Sequence, residues 1–291
     1  MKLNKVYLII ACVLIIIFIV IYGNFYSNFS KFDKIVSVPD LSNRLYNGNE
    51  LDGYRLADVI FYPDYLTSKH KYSTVDHLYK FPNTIGTKYI KRKYPFLQKI
   101  NNIEDIDLYK IEYNAFENQI NNNLKDGIDI EILNSIINEV GIKKNNVDDK
   151  TLFLHIRVGD VLCKYEGMSH AFDYAKKGNT VWWDSVLDYI KSNDINNIII
   201  ISGTHFKDCL MESANYLEDR KKFLQAQGVN VSYRIGNSPD EDLIFCKDAK
   251  HFITTGGGYG YFLGKIIELN GGKFVLNNKD TIRKEVNLFK S

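Results

Sequence analysis

The second half of the chain shows the most regular pattern of hydrophobic and polar positions. Apolar runs at 151–156 and 198–201 are typical of strands buried on both faces of a parallel sheet. Residues 181–190 and 207–227 instead have apolar positions at helical spacing. Further strands are predicted at 229–235, 251–255 and 273–277, and further helices at 239–249 and 259–269.

This alternation predicts an α/β fold with helices on both faces of a parallel sheet and ligands at the carboxyl ends of the strands. Gly228 is expected to end one helix, because the left-handed cap position favours glycine. Ser238, Pro239 and Glu241 predict an N-cap, a first-turn proline and a capping-box acid for the next helix. Asp242 lies one position beyond this cap and is not needed for it.

The N-terminus has a different pattern. Every residue from 6 to 22 is apolar or aromatic, and Lys2 and Lys5 precede this run. A helix of this length nearly crosses the roughly 30 Å hydrocarbon core of a bilayer. No small-x-small cleavage site follows, so we predict an uncleaved single-pass anchor over 1–23, with a cleaved signal peptide as the alternative.

The lysines before the anchor favour a cytosolic N-terminus, with the remainder of the chain across the membrane. In a eukaryotic or viral protein that side would be a secretory-pathway or Golgi-like lumen. Residues 24–50 are polar and rich in asparagine, and predict a stem. In this topology the N-x-S sequons at Asn28 and Asn230 would be open to glycosylation.

Charge and cysteine content narrow the classes of function. The chain has 37 basic and 35 acidic side chains, and this balance argues against a nucleic-acid binder held by bulk phosphate attraction. Its four cysteines form no C-x-x-C pair, so neither a zinc site nor a disulfide framework is predicted. The D-x-D patterns at 105–107 and 240–242 are weak metal signals, because the first has no clear structural context and the second begins a helix. We therefore expect no bound metal.

The first candidate site is H-I-R-V-G-D at 155–160, where a predicted strand ends. Strand alternation places His155, Arg157 and Gly159 on one side of the chain. An arginine fork in this position could clamp a diphosphate. The alternative is that Arg157 and Asp160 pair with each other or with a neighbouring loop.

The second candidate site is T-T-G-G-G-Y-G at 254–260, between a strand and a helix. Its glycines allow positive φ and a close approach to a ligand, and the helix that follows directs free N–H groups at an anion. The hydroxyls of Thr254 and Thr255 add donors. The loop matches neither a Walker loop nor a dinucleotide fingerprint, and a tight turn without a ligand is the alternative.

The H-x-R-x-G-D strand end, the S-P-x-x-D helix start and the T-x-G-x-[FY]-G loop, in this order and at this spacing, resemble the α(1,2)-fucosyltransferases and the wider group of GDP-fucose-dependent transferases. The pattern can be aligned without a gap over 238–262. This alignment places His251, Thr255, Gly257 and Gly260 on family positions.

The resemblance covers residues 151–278 and implies a GT-B-like architecture, with two Rossmann-like halves and the donor nucleotide held by the second. Residues 51–148, where the pattern is irregular, would form an N-terminal acceptor-side domain, and 149–291 a C-terminal Rossmann-like donor-binding domain. The chain departs from the family pattern at Gly258, where a small hydroxyl residue is usual.

The implied activity is inverting transfer of fucose from GDP-fucose to a glycan acceptor, without a cofactor. Arg157 would stabilise the departing diphosphate, and Asp160 would either act as the base for the acceptor hydroxyl or orient Arg157. The alternatives are a non-catalytic, membrane-tethered carbohydrate-binding protein on a transferase fold and a related transferase that uses another nucleotide sugar. The predicted donor-binding residues are His155, Arg157, Gly159, Asp242, Thr254, Thr255, Gly256, Gly257, Gly258 and Tyr259.

Overall fold

The structure is a computed structural model. Residue contacts divide the chain into two units, Met1–Ser37 and Val38–Ser291, and every described helix and strand lies in the second unit. The described residues are 37–46, 81–99, 129–141, 148–163, 180–204 and 209–275, without the side chains of 96, 160, 163, 180–182 and 258.

The predicted anchor over 1–23 lies outside the described residues. Among the helices that the structure describes, none combines the length and the apolar character needed to cross a bilayer.

Five strands of the described part form one sheet: β1 (Thr151–His155), β2 (Asn197–Ser202), β3 (Asn230–Ile235), β4 (His251–Thr254) and β5 (Lys273–Val275). All neighbouring pairs are parallel, and the spatial order is β3-β2-β1-β4-β5. The protein is therefore mixed α/β, as the alternation of strands and helices predicts, and its strand order is consistent with a Rossmann-like fold.

The described helices are α1 (Val38–Leu45), α2 (Ile85–Lys93), α3 (Ile130–Val140), α4 (Asp160–Cys163), α5 (Thr180–Ser192), α6 (Leu210–Gln225), α7 (Pro239–Cys246) and α8 (Gly258–Leu269). A short 3-10 helix, Pro95–Lys99, follows α2. In the second half of the chain the predicted elements are confirmed, with boundaries that differ by a few residues. Helix α7, for example, ends at Cys246, whereas the sequence places its end near Ala249.

The predicted signals at two helix ends are confirmed. Glu241 N–H donates to Ser238 Oγ at 3.2 Å, and Ser238 N–H donates to the Glu241 carboxylate at 2.8 Å, which completes the capping box. Gly228, beyond the end of α6, has a φ of +84°. These signals are visible in the sequence because the residues that form them lie within one helical turn of each other.

One face of the sheet is covered by α2, α3, α7 and α8, which share a hydrophobic cluster with the strands. Phe153 of β1 and Phe252 of β4 are fully buried in this cluster. Tyr89 of α2 and Ile136 of α3 are buried in the same cluster. The described helices of segment 51–148 therefore share their hydrophobic core with the sheet.

Helix α1 packs against α6 and β3, although it lies in the segment 24–50 for which the sequence predicts a stem. Leu41 and Leu45 of α1 are buried, with exposures of 0% and 1%. Thr204 N–H donates to the Leu45 carbonyl at 3.0 Å, and Tyr46 forms a parallel bridge with Thr204. A helix of eight residues with two buried leucines is too short to give a clear periodic pattern in the sequence.

Cys209, the residue before α6, is disulfide-bonded, whereas Cys246 is buried and free. The sequence pattern, which suggests no disulfide framework, does not predict the disulfide at Cys209. Widely spaced cysteines carry no local signal for pairing, because a disulfide depends on how the fold brings two distant residues together.

Candidate functional site

The carboxyl ends of β1 and β4 lie side by side in the sheet, with His155 in register with Thr254. From β1 the chain proceeds outward through β2 to β3, then returns to β4 and continues outward on the other side to β5. The connections that follow β1 and β4 therefore diverge, and such a switch point forms the ligand-binding crevice of open α/β sheets. Both candidate motifs leave the sheet at this point.

Hydrogen bonds join the two motifs directly. Thr255 N–H donates to the His155 carbonyl at 3.0 Å, and Arg157 N–H donates to Thr255 Oγ1 at 2.8 Å. His155 Nδ1 lies 2.8 Å from Thr254 Oγ1, and this hydroxyl oxygen also accepts Gly256 N–H at 3.0 Å. The structure thus brings together two segments that are separate candidate sites in the sequence.

His155 supports the glycine loop as a neutral group. Burial, together with the positive charge of Arg157, lowers the pKa of its imidazole to about 3. Gly260 lies so close to the ring that a Cβ at this position would be 2.5 Å from His155 Nδ1. A neutral imidazole can either donate to Thr254 Oγ1 or accept from it, so this contact needs no additional charge.

The glycine loop turns the chain from β4 into α8. Gly256 and Gly257 have φ values of +119° and +85°, which side-chain-bearing residues rarely adopt. Gly257 is the N-cap of α8 and provides no side-chain hydrogen bond to its first turn. The N-cap residue itself thus places no side chain over the start of α8, and a helix N-terminus attracts anions.

The side chain of Arg157 lies against this loop and is half-buried. A Cβ built on Gly257 would be 3.0 Å from Arg157 Cδ and 3.2 Å from its Nη1. The guanidinium group and the positive end of α8 are thus neighbours. A ligand with several anionic oxygens could accept hydrogen bonds from the arginine fork and from the loop N–H groups together.

Gly159 does not share this environment, because the alternation of sides stops where β1 ends. Its φ is +84°, and its N–H donates to Ser213 Oγ of α6 at 3.0 Å. His155 and Arg157 face the glycine loop, whereas Gly159 is bound by α6. Asp160 is the first residue of α4, and its side chain lies outside the described part of the structure.

Asp242 forms an ion pair that the sequence does not predict. Arg234 Nε donates to Asp242 Oδ1 at 2.8 Å, and the guanidinium carbon of Arg234 lies 4.0 Å from the ring centroid of Phe245. Burial raises the pKa of the Asp242 carboxyl to about 7, and the charge of Arg234 limits this rise. Among the described contacts, Asp242 is joined to β3 through Arg234 and not to the glycine loop.

The other carboxylate of the pattern at 240–242 has a separate partner. Ile85 N–H, at the start of α2, donates to Asp240 Oδ2 at 2.7 Å. The D-x-D pattern at 105–107 lies outside the described residues. Where the structure is described, no group of three or more His, Cys, Asp or Glu side chains is placed to hold a metal ion.

Tyr259 has contacts that the motif alone does not reveal. Its hydroxyl donates to the Pro239 carbonyl at 2.7 Å, and its ring meets His155 edge-on, with centroids 5.7 Å apart. The sequence identifies Pro239 and Tyr259 as parts of two motifs, but it contains no signal that one binds the other. Their contact depends on how α7 and α8 pack.

A scan against models of protein families and a search of curated proteins found no match to this chain. The class that the structure defines is a mixed α/β protein with a parallel five-stranded sheet. Two candidate ligand-binding motifs lie together at the switch point of this sheet.

Proposed function

We propose that the protein is a membrane-anchored, inverting glycosyltransferase that transfers fucose from GDP-fucose to a glycan acceptor. The three motifs that resemble GDP-fucose-dependent transferases support the proposal, as does the position of two of them at one switch point. A GT-B architecture, with a second Rossmann-like half, is part of the same proposal.

The observation that carries the proposal is the position of Arg157 beside Gly257, the N-cap residue of α8. A bound diphosphate needs compensation of its charge and several hydrogen-bond donors in a small volume. The guanidinium group supplies the charge and a bidentate fork, and the loop supplies backbone N–H groups. A neutral sugar or an apolar ligand would make little use of this arrangement.

The same arrangement suits the chemistry of fucosyl transfer. When the bond between the sugar and the diphosphate breaks, GDP gains negative charge, which Arg157 and the start of α8 would stabilise. The acceptor hydroxyl attacks from the opposite face of the sugar, and the result is inversion. Asp160, which follows the arginine strand, is our candidate for the base that takes the proton of this hydroxyl; orientation of Arg157 is its alternative role.

The threonines of the loop have a structural role beside the donor contacts predicted for them. Thr254 Oγ1 is used by His155 and by Gly256 N–H, and Thr255 Oγ1 is used by Arg157 N–H. We propose that Arg157 and the backbone at the start of α8 make the main contacts with the diphosphate, and direct contacts of Thr254 and Thr255 stay predictions from the sequence. Direct donor contacts of Gly159 and Asp242 remain predictions from the sequence.

We further propose that the folded unit lies across the membrane from the cytosol. The basic residues before the predicted anchor favour this orientation. The disulfide at Cys209 supports it, because disulfides persist in oxidising compartments and are rare in the cytosol.

The proposal is tested by a thermal-shift screen of the full chain in detergent micelles against GDP, UDP, CMP and their sugars. We expect GDP and GDP-fucose to raise the melting temperature and the other nucleotides to leave it unchanged. Incubation with GDP-fucose and a mixture of glycan acceptors should then release GDP.

The alternative functions give different results in this experiment. A transferase with another donor would be stabilised by UDP or CMP instead of GDP. A carbohydrate-binding protein would be stabilised by glycans but would release no nucleotide from any sugar donor.

A further inference from the structure

We propose that Tyr259 is a positioning residue that holds the first turn of α8 in the place where it can bind the diphosphate. This inference rests on the proposed function, because it concerns the same site. Tyr259 would act through the backbone of the loop rather than through contact with the reacting atoms.

Tyr259 connects three elements of the site. It lies in the first turn of α8, its hydroxyl donates to the Pro239 carbonyl at the start of α7, and its ring packs edge-on against His155 of β1. The oxygen-to-oxygen distance to Pro239 is 2.7 Å, within the usual range for a hydroxyl donor. The first side chain after the glycines is thus fixed at both its ring and its hydroxyl.

The glycine loop needs a restraint of this kind. Three consecutive glycines, at 256–258, precede Tyr259. Fixing the backbone of a residue costs conformational entropy, and glycine has the most conformational freedom to lose. Gly257, the N-cap residue of α8, has no side chain that could order the first turn of this helix through a hydrogen bond.

The Pro239 carbonyl, which accepts the hydrogen bond of the Tyr259 hydroxyl, lies in a turn that other contacts hold in place. The capping box of Ser238 and Glu241 closes the first turn of α7 around Pro239. On the next residue, the Asp240 carboxylate accepts Ile85 N–H at 2.7 Å and joins this turn to α2. The Pro239 carbonyl is therefore held by contacts of α7, and the Tyr259 hydroxyl joins the first turn of α8 to it.

Removal of the Tyr259 hydroxyl should leave the ring in place but release the first turn of α8. A diphosphate would then have to order the loop as it binds. A net hydrogen bond is worth about 0.5–1.5 kcal/mol, which corresponds to an affinity loss of roughly two- to tenfold.

The experiment compares Tyr259→Phe with Tyr233→Phe in the full chain, in detergent micelles. The control also loses one hydroxyl hydrogen bond, from Tyr233 to the Glu218 carboxylate on α6 at 3.1 Å, but this bond lies away from the glycine loop. GDP affinity is measured by calorimetry, inorganic pyrophosphate is tested as a competitor, and the melting temperature of each variant is recorded.

We expect Tyr259→Phe to weaken GDP and pyrophosphate by the same factor, between about two- and tenfold, while Tyr233→Phe binds both ligands as the parent does. Equal affinities in the parent and in Tyr259→Phe would overturn the positioning role, as would equal losses in the two variants. If the parent itself binds neither GDP nor pyrophosphate, the proposed function fails and the positioning role fails with it.

Discussion

Thr254 Oγ1 at the end of β4 lies 2.8 Å from His155 Nδ1 at the end of β1, although the two residues are 99 positions apart in the sequence. This contact joins the arginine motif to the glycine loop. Because the hydroxyl also accepts Gly256 N–H, it links the imidazole to the backbone that turns toward α8. His155 therefore links the end of β1 to the backbone of the glycine loop.

Acid should destabilise the protein through His155. Its pKa is about 3 in the folded protein and about 6.5 when unfolded, so the unfolded state binds more protons between these values. The stabilisation from neutral His155 is fully present above pH 6.5 and is lost as the pH falls toward 3. We expect His155→Gln to lose less thermal stability than the parent between pH 7 and pH 4.

Melting curves of both proteins across this pH range provide the measurement. Asp242, whose pKa is raised to about 7, has the opposite pH dependence, but it is present in both proteins and cancels in the comparison. Parallel pH profiles of the parent and His155→Gln would contradict the neutral state of His155.

Substitution of Gly257 should separate backbone strain from loss of the ligand site. Gly257 and Gly271 have φ values of +85° and +84°, so alanine is strained at both positions, and more so at Gly257, whose ψ of 151° lies in a region that essentially only glycine adopts. A Cβ at Gly257 also meets Arg157, whereas a Cβ at Gly271 meets nothing within 4 Å. Gly257→Ala should therefore weaken GDP binding severalfold, and Gly271→Ala should not.

Calorimetry with GDP and melting curves on the two glycine variants check this expectation. Equal GDP affinities in Gly257→Ala and Gly271→Ala would show that the approach of Arg157 to the loop has no role in binding.

Helix α1 should be essential for stability. Leu41 is fully buried between α1 and the rest of the unit, so Leu41→Ala should lower the free energy of unfolding by about 2–5 kcal/mol. Leu269, at the end of α8, is 45% exposed, and Leu269→Ala should change the free energy of unfolding by less than about 1 kcal/mol. Chemical denaturation of both variants measures the difference; similar values would mean that residues 38–45 act as a loose stem after all.

The sequence predicts the strands of the sheet but not which strands pair with each other. The apolar runs at 151–156 and 198–201 are strong local patterns, because buried parallel strands are hydrophobic on both faces. The pairing of β1 with β4 is non-local, since β2 and β3 lie between them in the chain. The two motifs could therefore be placed at strand ends from sequence, but not beside each other.

The sequence also does not predict which side chains of different helices and strands contact each other. The sequence shows only that Asp242 is not needed for its helix cap, whereas the fold pairs it with Arg234 of β3. The predicted side of Gly159 is a second example. Side chains alternate between the two faces only within a strand, and β1 ends at His155, before Gly159. What a residue contacts after its element ends is set by tertiary packing.

The central claim is that Arg157 and the start of α8 bind a diphosphate, and calorimetric titration of GDP into the full chain, its Arg157→Ala variant and its Arg157→Lys variant tests it most directly. Arg157→Ala should weaken GDP about ten- to a hundredfold, because it removes charge-assisted hydrogen bonds worth about 1.5–3 kcal/mol. Arg157→Lys should recover only part of this loss, since an ammonium group cannot reproduce the bidentate fork. If Arg157→Ala lowers the melting temperature but binds GDP with the affinity of the parent, Arg157 serves the scaffold and the claim is contradicted.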